Sequence, residues 1–228
     1  MHFSPNLNDS PFINNKTTLR TVYVENGVTV LGRYMLFQCH NIDNLRLPDS
    51  IERIENYSLA GLTKLTELNI PKNTKYLVGH GITGNTGLTK ITVSKNCENF
   101  TVIDNVLYRK DLSETVYILP SKQITNFEFY DTITKIGSFT FSNQEKLTSI
   151  AIPEGVKHIN HSAFYQCHNL KEVVMPSSVF YIDTYLFMDC KSLETIVLSE
   201  RLPNIPKCTF FNCTSLKTIT IPPSVVEI

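Results

Sequence analysis

Residues 147–192 decide the fold. They read LTSIAIPEGVKHINHSAFYQCHN from 147 to 169 and LKEVVMPSSVFYIDTYLFMDCKS from 170 to 192. A third copy, LETIVLSERLPNIPKCTFFNCTS, occupies 193–215, and LKTITIPPSVVEI begins a fourth. The unit therefore recurs every 23 residues. A fixed period of this length is typical of a solenoid or repeat array, in which each unit stacks on its neighbours.

Each copy carries seven apolar positions in one register. In the first copy they are Leu147, Ile150, Ile152, Val156, Ile159, Phe164 and Cys167. The segment L-x-x-I-x-I alternates like a strand with one buried face. Pro153 and Pro176 follow this segment and end the strand, because proline has no amide hydrogen to donate. Phe164, Cys167 and Leu170 are spaced by three, which indicates a helical or 3-10 turn.

The same register can be followed back to Leu19, with units at 19–41, 42–64 and 65–87 and a fourth beginning at 88. In the third unit Thr74 and Asn85 occupy positions that are otherwise apolar, so we expect a weaker coil there. The register then breaks and resumes at Ile124. Within the insert, the apolar runs 106–108 and 116–119 flank the polar segment RKDLSET, which predicts a β-hairpin.

These spacings predict a lead-in at 1–18 and one solenoid domain at 19–228, with an irregular hairpin-like insert at about 101–123. The chain stops at Ile228 in mid-unit. Open solenoid ends expose core and ladder groups. We therefore expect further repeats, a cap or a partner to cover this end.

Composition excludes several classes of protein. Lys and Arg number 21, Asp and Glu number 21, and the net charge is zero, so no basic excess is present to hold a nucleic acid or an anionic membrane. No apolar run approaches the roughly 20 residues of a membrane helix. The start, MHFSPNLNDSPFINNKTT, lacks the basic and apolar regions of a secretory signal peptide.

The motif L-x-x-I-x-I-P-x-x-V-x-x-I-x-x-x-x-F-x-x-C-x-x-L runs almost unbroken from Leu147 to Leu170. This pattern resembles the BspA-like branch of the leucine-rich repeat family. The chain departs from the more familiar leucine-rich pattern, since no asparagine ladder follows the strand. Glycine after the second isoleucine is also often missing, and only Gly32 and Gly137 keep it.

The resemblance implies an α/β fold class, a right-handed leucine-rich-repeat solenoid (horseshoe) of 23-residue repeats. It implies a parallel β-sheet on the concave face and short helical or 3-10 turns on the other side. It also implies binding, often adhesion at a microbial cell surface.

No catalytic signature is present, and we predict no catalytic, cofactor-binding or metal-binding residue and no cofactor. The stretch from Gly79 to Gly84 spells G-x-G-x-x-G but lacks the helix pattern of a dinucleotide site, so we interpret it as a loop. His158, His161, Cys167 and His168 are a loose set without the tight pairs of a zinc site. We expect both His158 and His161 to point to solvent.

Cys39, Cys167, Cys190 and Cys213 share one repeat position, which predicts a column of reduced, buried thiols. Cys208 lies off this position and is predicted to be the most reactive. A disulfide between adjacent coils is allowed by the spacing of neighbouring strands. A domain of this size has its own core and does not need a disulfide framework.

Residues that alternate with the inward positions of L-x-x-I-x-I should point out from the sheet. The candidate partner-binding residues among them are Tyr23, Arg46, Tyr130, Ala151, Glu172, Val174, Thr195, Val197 and Thr220. In the later coils, Ala151, Val174, Val197 and Thr220 form one largely apolar column, and such patches with polar rims tend to be interfaces. The alternative is that β-branched residues merely suit an exposed strand. The insert near Tyr108 and Tyr117 is the second candidate site.

The sequence thus favours a non-enzymatic protein-binding module, as a cell-surface or secreted adhesion protein that binds host or extracellular-matrix protein. The alternative is a cytoplasmic protein–protein interaction scaffold, which the missing signal peptide and the unpaired cysteines favour. Neither hypothesis includes nucleic acid or direct membrane insertion of this segment.

Overall fold

The chain divides into two compact units in a computed structural model that describes residues 10–228. The first unit ends at Lys110 and also includes Leu119–Ser121. The second consists of Asp111–Ile118 and Lys122–Ile228. The first nine residues of the predicted lead-in lie outside the described part of the chain.

The described part of the first unit contains two 3-10 helices, Ile13–Asn15 and Gly79–Gly81. Its strands are β1 (Thr21–Tyr23), β2 (Val30–Leu31), β3 (Asn44–Arg46), β4 (Arg53–Ile54), β5 (Glu67–Ile70), β6 (Tyr76–Leu77), β7 (Lys90–Val93), β8 (Phe100–Ile103) and β9 (Val106–Arg109). The pairs β1–β3 and β5–β7 are parallel, as is the sheet β2-β4-β6.

The second unit has strands β10 (Glu114–Ile118), β11 (Lys135–Ile136), β12 (Ser149–Ala151), β13 (His158–Ile159), β14 (Glu172–Val174), β15 (Tyr181–Ile182) and β16 (Thr195–Val197). Two parallel arrangements run through it, β12-β14-β16 and β10-β11-β13-β15. We call the outward surface of β12, β14 and β16 the first-strand face. The outward surface of β11, β13 and β15 is the second-strand face.

The pairing register reproduces the sequence period. Ile150 pairs with Val173, and Val173 pairs with Ile196, so each strand lies beside its own copy in the next coil. The seven repeat positions of the coil that begins at Leu147 are all buried. The predicted solenoid of 23-residue coils with parallel strands is confirmed.

The turns between the strands are not α-helices, and helix within residues 10–228 is limited to the two 3-10 segments. In six of these turns, two residues four apart have positive φ. The pairs are Tyr34 and Gln38, Tyr57 and Gly61, Phe139 and Asn143, Ser162 and Gln166, Tyr185 and Asp189, and Cys208 and Asn212. This geometry turns alternate amides toward the next coil, so Ser162, Phe164 and Gln166 donate to carbonyls of that coil at 2.9–3.1 Å. The turns therefore add a further ladder of backbone hydrogen bonds to those of the strands.

The coil at 65–87 is as well buried as its neighbours, although Thr74 and Asn85 stand at core positions. The Asn85 side chain accepts from the Leu62 amide at 2.7 Å and donates to the Leu59 carbonyl at 3.0 Å. Thr74 donates its hydroxyl to the Ile51 carbonyl at 3.3 Å. A buried polar group with its partners in place costs little. The expectation of a weaker coil at these positions is therefore not supported.

The insert contains strands at both predicted apolar runs, β9 and β10. An antiparallel pair is formed by β8 and β9, with Ile103 opposite Val106. Asp104 and Asn105 make the two-residue turn with positive φ at both positions, the geometry that matches the twist of a hairpin. This hairpin thus begins at Phe100, next to the predicted start of the insert at about 101.

The cysteine column lies inside the stack. All six cysteines are free, and Cys39, Cys97, Cys167 and Cys190 are buried. Each thiol of the later column donates to a phenylalanine carbonyl of the preceding coil; for Cys167 and Phe141 the distance is 2.9 Å. Cys213, in the last full coil, is only partly buried, as is Cys208.

We expect Cys208 to react first with iodoacetamide in the native protein, and Cys167 and Cys190 to react only after unfolding. Hydrogen bonding to Cys167 and burial raise the pKa of Cys190, and burial raises the pKa of Cys213 to about 12, so little thiolate forms at neutral pH. Peptide mass spectrometry before and after guanidinium treatment measures each rate. Equal, rapid labelling of all six thiols in the native state would contradict the buried column.

Candidate partner-binding surface

The first-strand face carries an exposed apolar row. Ala151, Val174 and Val197 are paired neighbours on β12, β14 and β16, and all three point outward. Val174 is 45% exposed and Val197 is 55% exposed. Their inward neighbours Val173 and Ile196 are buried, which fixes the orientation of the row.

A polar row borders this apolar row. Ser149, Glu172 and Thr195 are paired across the same three strands and are exposed. The face therefore has an apolar line with a polar edge that includes one carboxylate. The main chain beneath both rows is fixed by the sheet and by the buried core.

The predicted residues of the first unit contact one another. Arg46 lies over the Tyr23 ring at 5.4 Å from the ring centroid, and Asn44 donates to the Tyr23 hydroxyl at 3.3 Å. Lys90 and Glu67 form an ion pair of 3.1 Å in the next coils. The outward polar groups are thus partly satisfied within the unit. The apolar row consists of side chains that form no hydrogen bonds or ion pairs, so a partner that covers it breaks none.

Tyr130 and Thr220, also predicted to bind a partner, are exposed but lie outside the strands. The segment 126–130 and the segment 216–221 follow the repeat pattern without forming ladder hydrogen bonds that define a strand. These two residues therefore do not extend the paired rows of β12, β14 and β16.

The insert near Tyr108 and Tyr117 stays a predicted second site, but these two tyrosines do not face outward. Both rings are buried, at 4% and 3% exposure, and burial raises the pKa of Tyr117. They pack inside the protein because the insert adds strands to it, so neither ring is available to a partner. The sequence of the insert alone does not show whether its aromatic side chains are buried or exposed.

His161 also differs from expectation, because it is buried instead of pointing to solvent. Its Nδ1 is 2.8 Å from the Thr184 hydroxyl, and its ring lies between those of Phe139 and Tyr185 at 5.5 Å from each. Burial lowers the pKa of His161, although nearby Asp183 acts to raise it. Among residues 10–228 no group of three His, Cys, Asp or Glu side chains is arranged to hold a metal ion.

The second-strand face was not anticipated from the sequence. Lys135, His158 and Tyr181 are paired outward on β11, β13 and β15. Phe180 and Tyr181 are 36% and 44% exposed. The sequence feature that could have predicted this face is the pair of adjacent aromatic residues Phe180 and Tyr181. They lie between the core positions Val179 and Ile182.

A family model described as "BspA type Leucine rich repeat region" matches residues 6–113 and 115–228 in six copies. No curated protein matches the sequence. No helix in the described part of the chain, 10–228, has the length and apolar content to cross a membrane.

Three solved structures show the same fold. The pneumococcal vaccine antigen PcpA matches at 19% identity with a TM-score of 0.71, over 92% of this chain and 62% of that one. A leucine-rich cell surface protein from Faecalibacterium prausnitzii matches at 25% identity and a TM-score of 0.68, over 87% and 59%. A leucine-rich repeat protein from Eubacterium ventriosum matches at 20% and 0.58, over 100% and 86%.

The chain therefore spans less than two thirds of the length of the first two of these proteins. The family match, in contrast, covers nearly all of this sequence and repeats along it. This chain belongs to the BspA-type leucine-rich repeat family.

Proposed function

We propose that this chain is a protein-binding module that acts at a microbial cell surface in adhesion to a host or matrix protein. The observation that carries the proposal is the exposed apolar row of the first-strand face. Family membership supports a non-catalytic role, since its repeat modules present surfaces instead of reactive groups.

The row suits an interface because it combines apolar area with rigidity. Val174 and Val197 lie about half exposed on neighbouring strands, and burying both against a partner would contribute roughly 2–4 kcal/mol. β-Strand backbones that are already ordered lose little conformational entropy on binding. Glu172 and Thr195 in the bordering row supply hydrogen-bonding groups at the rim.

Surface location is supported by the match to the F. prausnitzii cell surface protein. The intracellular scaffold remains the second candidate, favoured by six free cysteines, because thiols persist unpaired most readily in a reducing compartment. Labelling of intact cells with a membrane-impermeant amine reagent distinguishes the two. Labelled protein on intact cells supports the surface, and labelling only after lysis supports the scaffold.

Replacing Val174 and Val197 with lysine together is expected to weaken binding to an immobilised matrix protein by tenfold or more. Binding would then bury two lysine charges against the apolar surface of the partner, and burying an unpaired charge is costly. The measurement is surface plasmon resonance against a panel of purified extracellular-matrix proteins, with the unaltered chain defining which member binds.

The matched control is Ser177→Lys with Thr214→Lys, which adds the same two charges at exposed turn positions of the same unit. It should keep affinity within about twofold, a change of about 0.4 kcal/mol. Equal loss in both pairs would indicate a general charge effect. Unchanged binding by the valine variants would refute the first-strand face as the contact surface.

A further inference from the structure

The second-strand face carries a cluster of rings that are exposed and already packed together. The His158 ring lies 4.9 Å from that of Phe180 and 5.7 Å from that of Tyr181. The Arg201 guanidinium stands over the Phe180 ring at 5.7 Å from its centroid. Aromatic and arginine side chains held in this way lose little freedom when a partner contacts them.

The basic groups around these rings outnumber the acidic ones that face them. Lys135, Lys157 and Arg201 are basic, and Glu114 and Asp183 are acidic, which gives three positive charges against two negative. Glu114 forms an ion pair with Lys135 at 3.3 Å, which cancels one charge of each sign. Asp183 accepts a hydrogen bond from the Thr184 amide at 2.6 Å and keeps its charge, so Lys157 and Arg201 exceed it by one positive charge.

Two cations are thereby left for a ligand. Within residues 10–228, neither Lys157 nor Arg201 forms an ion pair. Lys157 lies beside Phe180 of the neighbouring coil, because the Phe180 amide donates a hydrogen bond to the Lys157 carbonyl at 3.2 Å. Arg201 keeps the edge donors of its guanidinium available while its plane stacks on the ring.

The charged groups around the rings act on them with opposite signs, because Lys135 and Lys157 lie near His158, whereas Asp183 lies near Tyr181 and, after burial, raises its pKa. Burial lowers the pKa of His158, and Lys135 and Lys157 lower it further. A ligand with negative charge next to an apolar group matches this surface better than a neutral or basic one.

We infer that the second-strand face binds an acidic peptide segment of a partner protein, with an apolar or aromatic side chain of the peptide against Phe180 and Tyr181 and its carboxylates at Lys157 and Arg201. The occupant is a short peptide and not a nucleic acid, because two unpaired cations replace too few counterions for a phosphate backbone. This site lies on the other strand of each coil from the first-strand face and does not rest on the function proposed for that face.

The test uses the full chain and fluorescent peptides in which Asp or Glu flanks a single Phe, measured by anisotropy. We expect the acidic peptide to bind at least tenfold more tightly than the same peptide with Asn and Gln in place of Asp and Glu. Added salt should weaken the interaction, since the pairs are exposed. Equal binding of the acidic and amide peptides, or none by either, would overturn the inference.

Lys157→Glu with Arg201→Glu is expected to reduce affinity for the acidic peptide about tenfold or more, and Tyr181→Ser should also reduce it. The matched control, Lys171→Glu with Lys191→Glu, reverses two exposed lysines elsewhere in the same unit and should stay within about twofold. Equal losses in the two charge-reversal pairs would overturn a defined site.

Two further arms separate the alternatives. Val174→Lys with Val197→Lys should leave peptide binding intact, so failure of the first-strand face and failure of this site are distinguishable. Heparin serves as a sulfated-glycan probe. Binding of heparin that is lost in Lys157→Glu with Arg201→Glu, together with no discrimination between the peptides, would assign the cluster to an anionic glycan and refute the peptide.

Discussion

Replacement of Phe164 by alanine is expected to lower the free energy of unfolding of the second unit by about 3–5 kcal/mol. The Phe164 side chain is fully buried. Its ring stacks on Phe141 at 5.1 Å and on Phe187 at 5.3 Å, with interplanar angles of 9° and 13°. Alanine would remove two ring contacts and leave a cavity that the fixed coils on either side cannot close.

The loss should lie near the upper end of this range because solenoid stability is a sum of coil and interface terms. Phe164 contributes to the interface with the coil before it and to the one after it. The measurement is urea denaturation followed by circular dichroism. A lower midpoint with an unchanged slope would indicate reduced stability without a change in the folded surface.

The matched control is Phe211→Ala in the last coil. Phe211 is 49% exposed, so its removal should change the free energy of unfolding by about 0.5 kcal/mol or less. If the two alanine variants unfold at the same urea concentration, the stacked phenylalanine column does not stabilise the unit as described.

The repeat period carried most of the information about the fold. Since Ile150, Val173 and Ile196 recur at one interval, stacking of identical coils had to place them side by side, and it does. The alternation within L-x-x-I-x-I then fixed which residues face outward, as the exposure of Val174 confirms. The first-strand face could thus be placed from sequence, although its role as a binding surface stays a prediction.

The turns could not be predicted from sequence, because their geometry has no residue signature. Tyr185 and Gln166 adopt positive φ without being glycine or asparagine, and the energy that holds them there is the ladder to the next coil. The three-residue spacing of Phe164, Cys167 and Leu170 predicts a helical turn when only the local sequence is considered. The tertiary hydrogen bonds override that preference.

The second-strand face escaped prediction for a related reason. Its strands are only two residues long, so there is no alternation to detect. His158 and His161 then look equivalent as residues beside core positions, yet one lies on that face and the other is buried against Thr184.

Alanine should lower stability at Gly137 but not at Gly32, although the two glycines share one repeat position. A Cβ on Gly137 would lie 2.6 Å from the Thr115 carbonyl oxygen and 3.2 Å from the Val116 Cα. Both neighbours belong to the main chain of β10, which cannot give way as a flexible side chain would. We expect Gly137→Ala to lower the free energy of unfolding by about 2–3 kcal/mol.

The reason for this difference is the insert. In regular coils the repeat position of Gly137 is occupied by residues that have a Cβ, namely Asn160, Asp183 and Pro206. Gly137 follows β11, which pairs with β10, and its amide donates to the Thr115 carbonyl at 2.8 Å, which the Thr140 hydroxyl also contacts at 3.0 Å. The main chain of β10 therefore lies where a Cβ on Gly137 would point, whereas Gly32 follows β2, an edge strand of the sheet β2-β4-β6.

At Gly32 a Cβ would meet no atom within 4 Å, and φ there is outside the left-handed region. Gly32→Ala should leave stability unchanged or raise it by about 0.4–1 kcal/mol, because alanine restricts the unfolded chain. Urea denaturation of both variants measures the pair. A loss at Gly32 as large as that at Gly137 would mean that the glycine serves the repeat itself, and a loss at Gly137 alone would mean that it accommodates the main chain of β10 beside it.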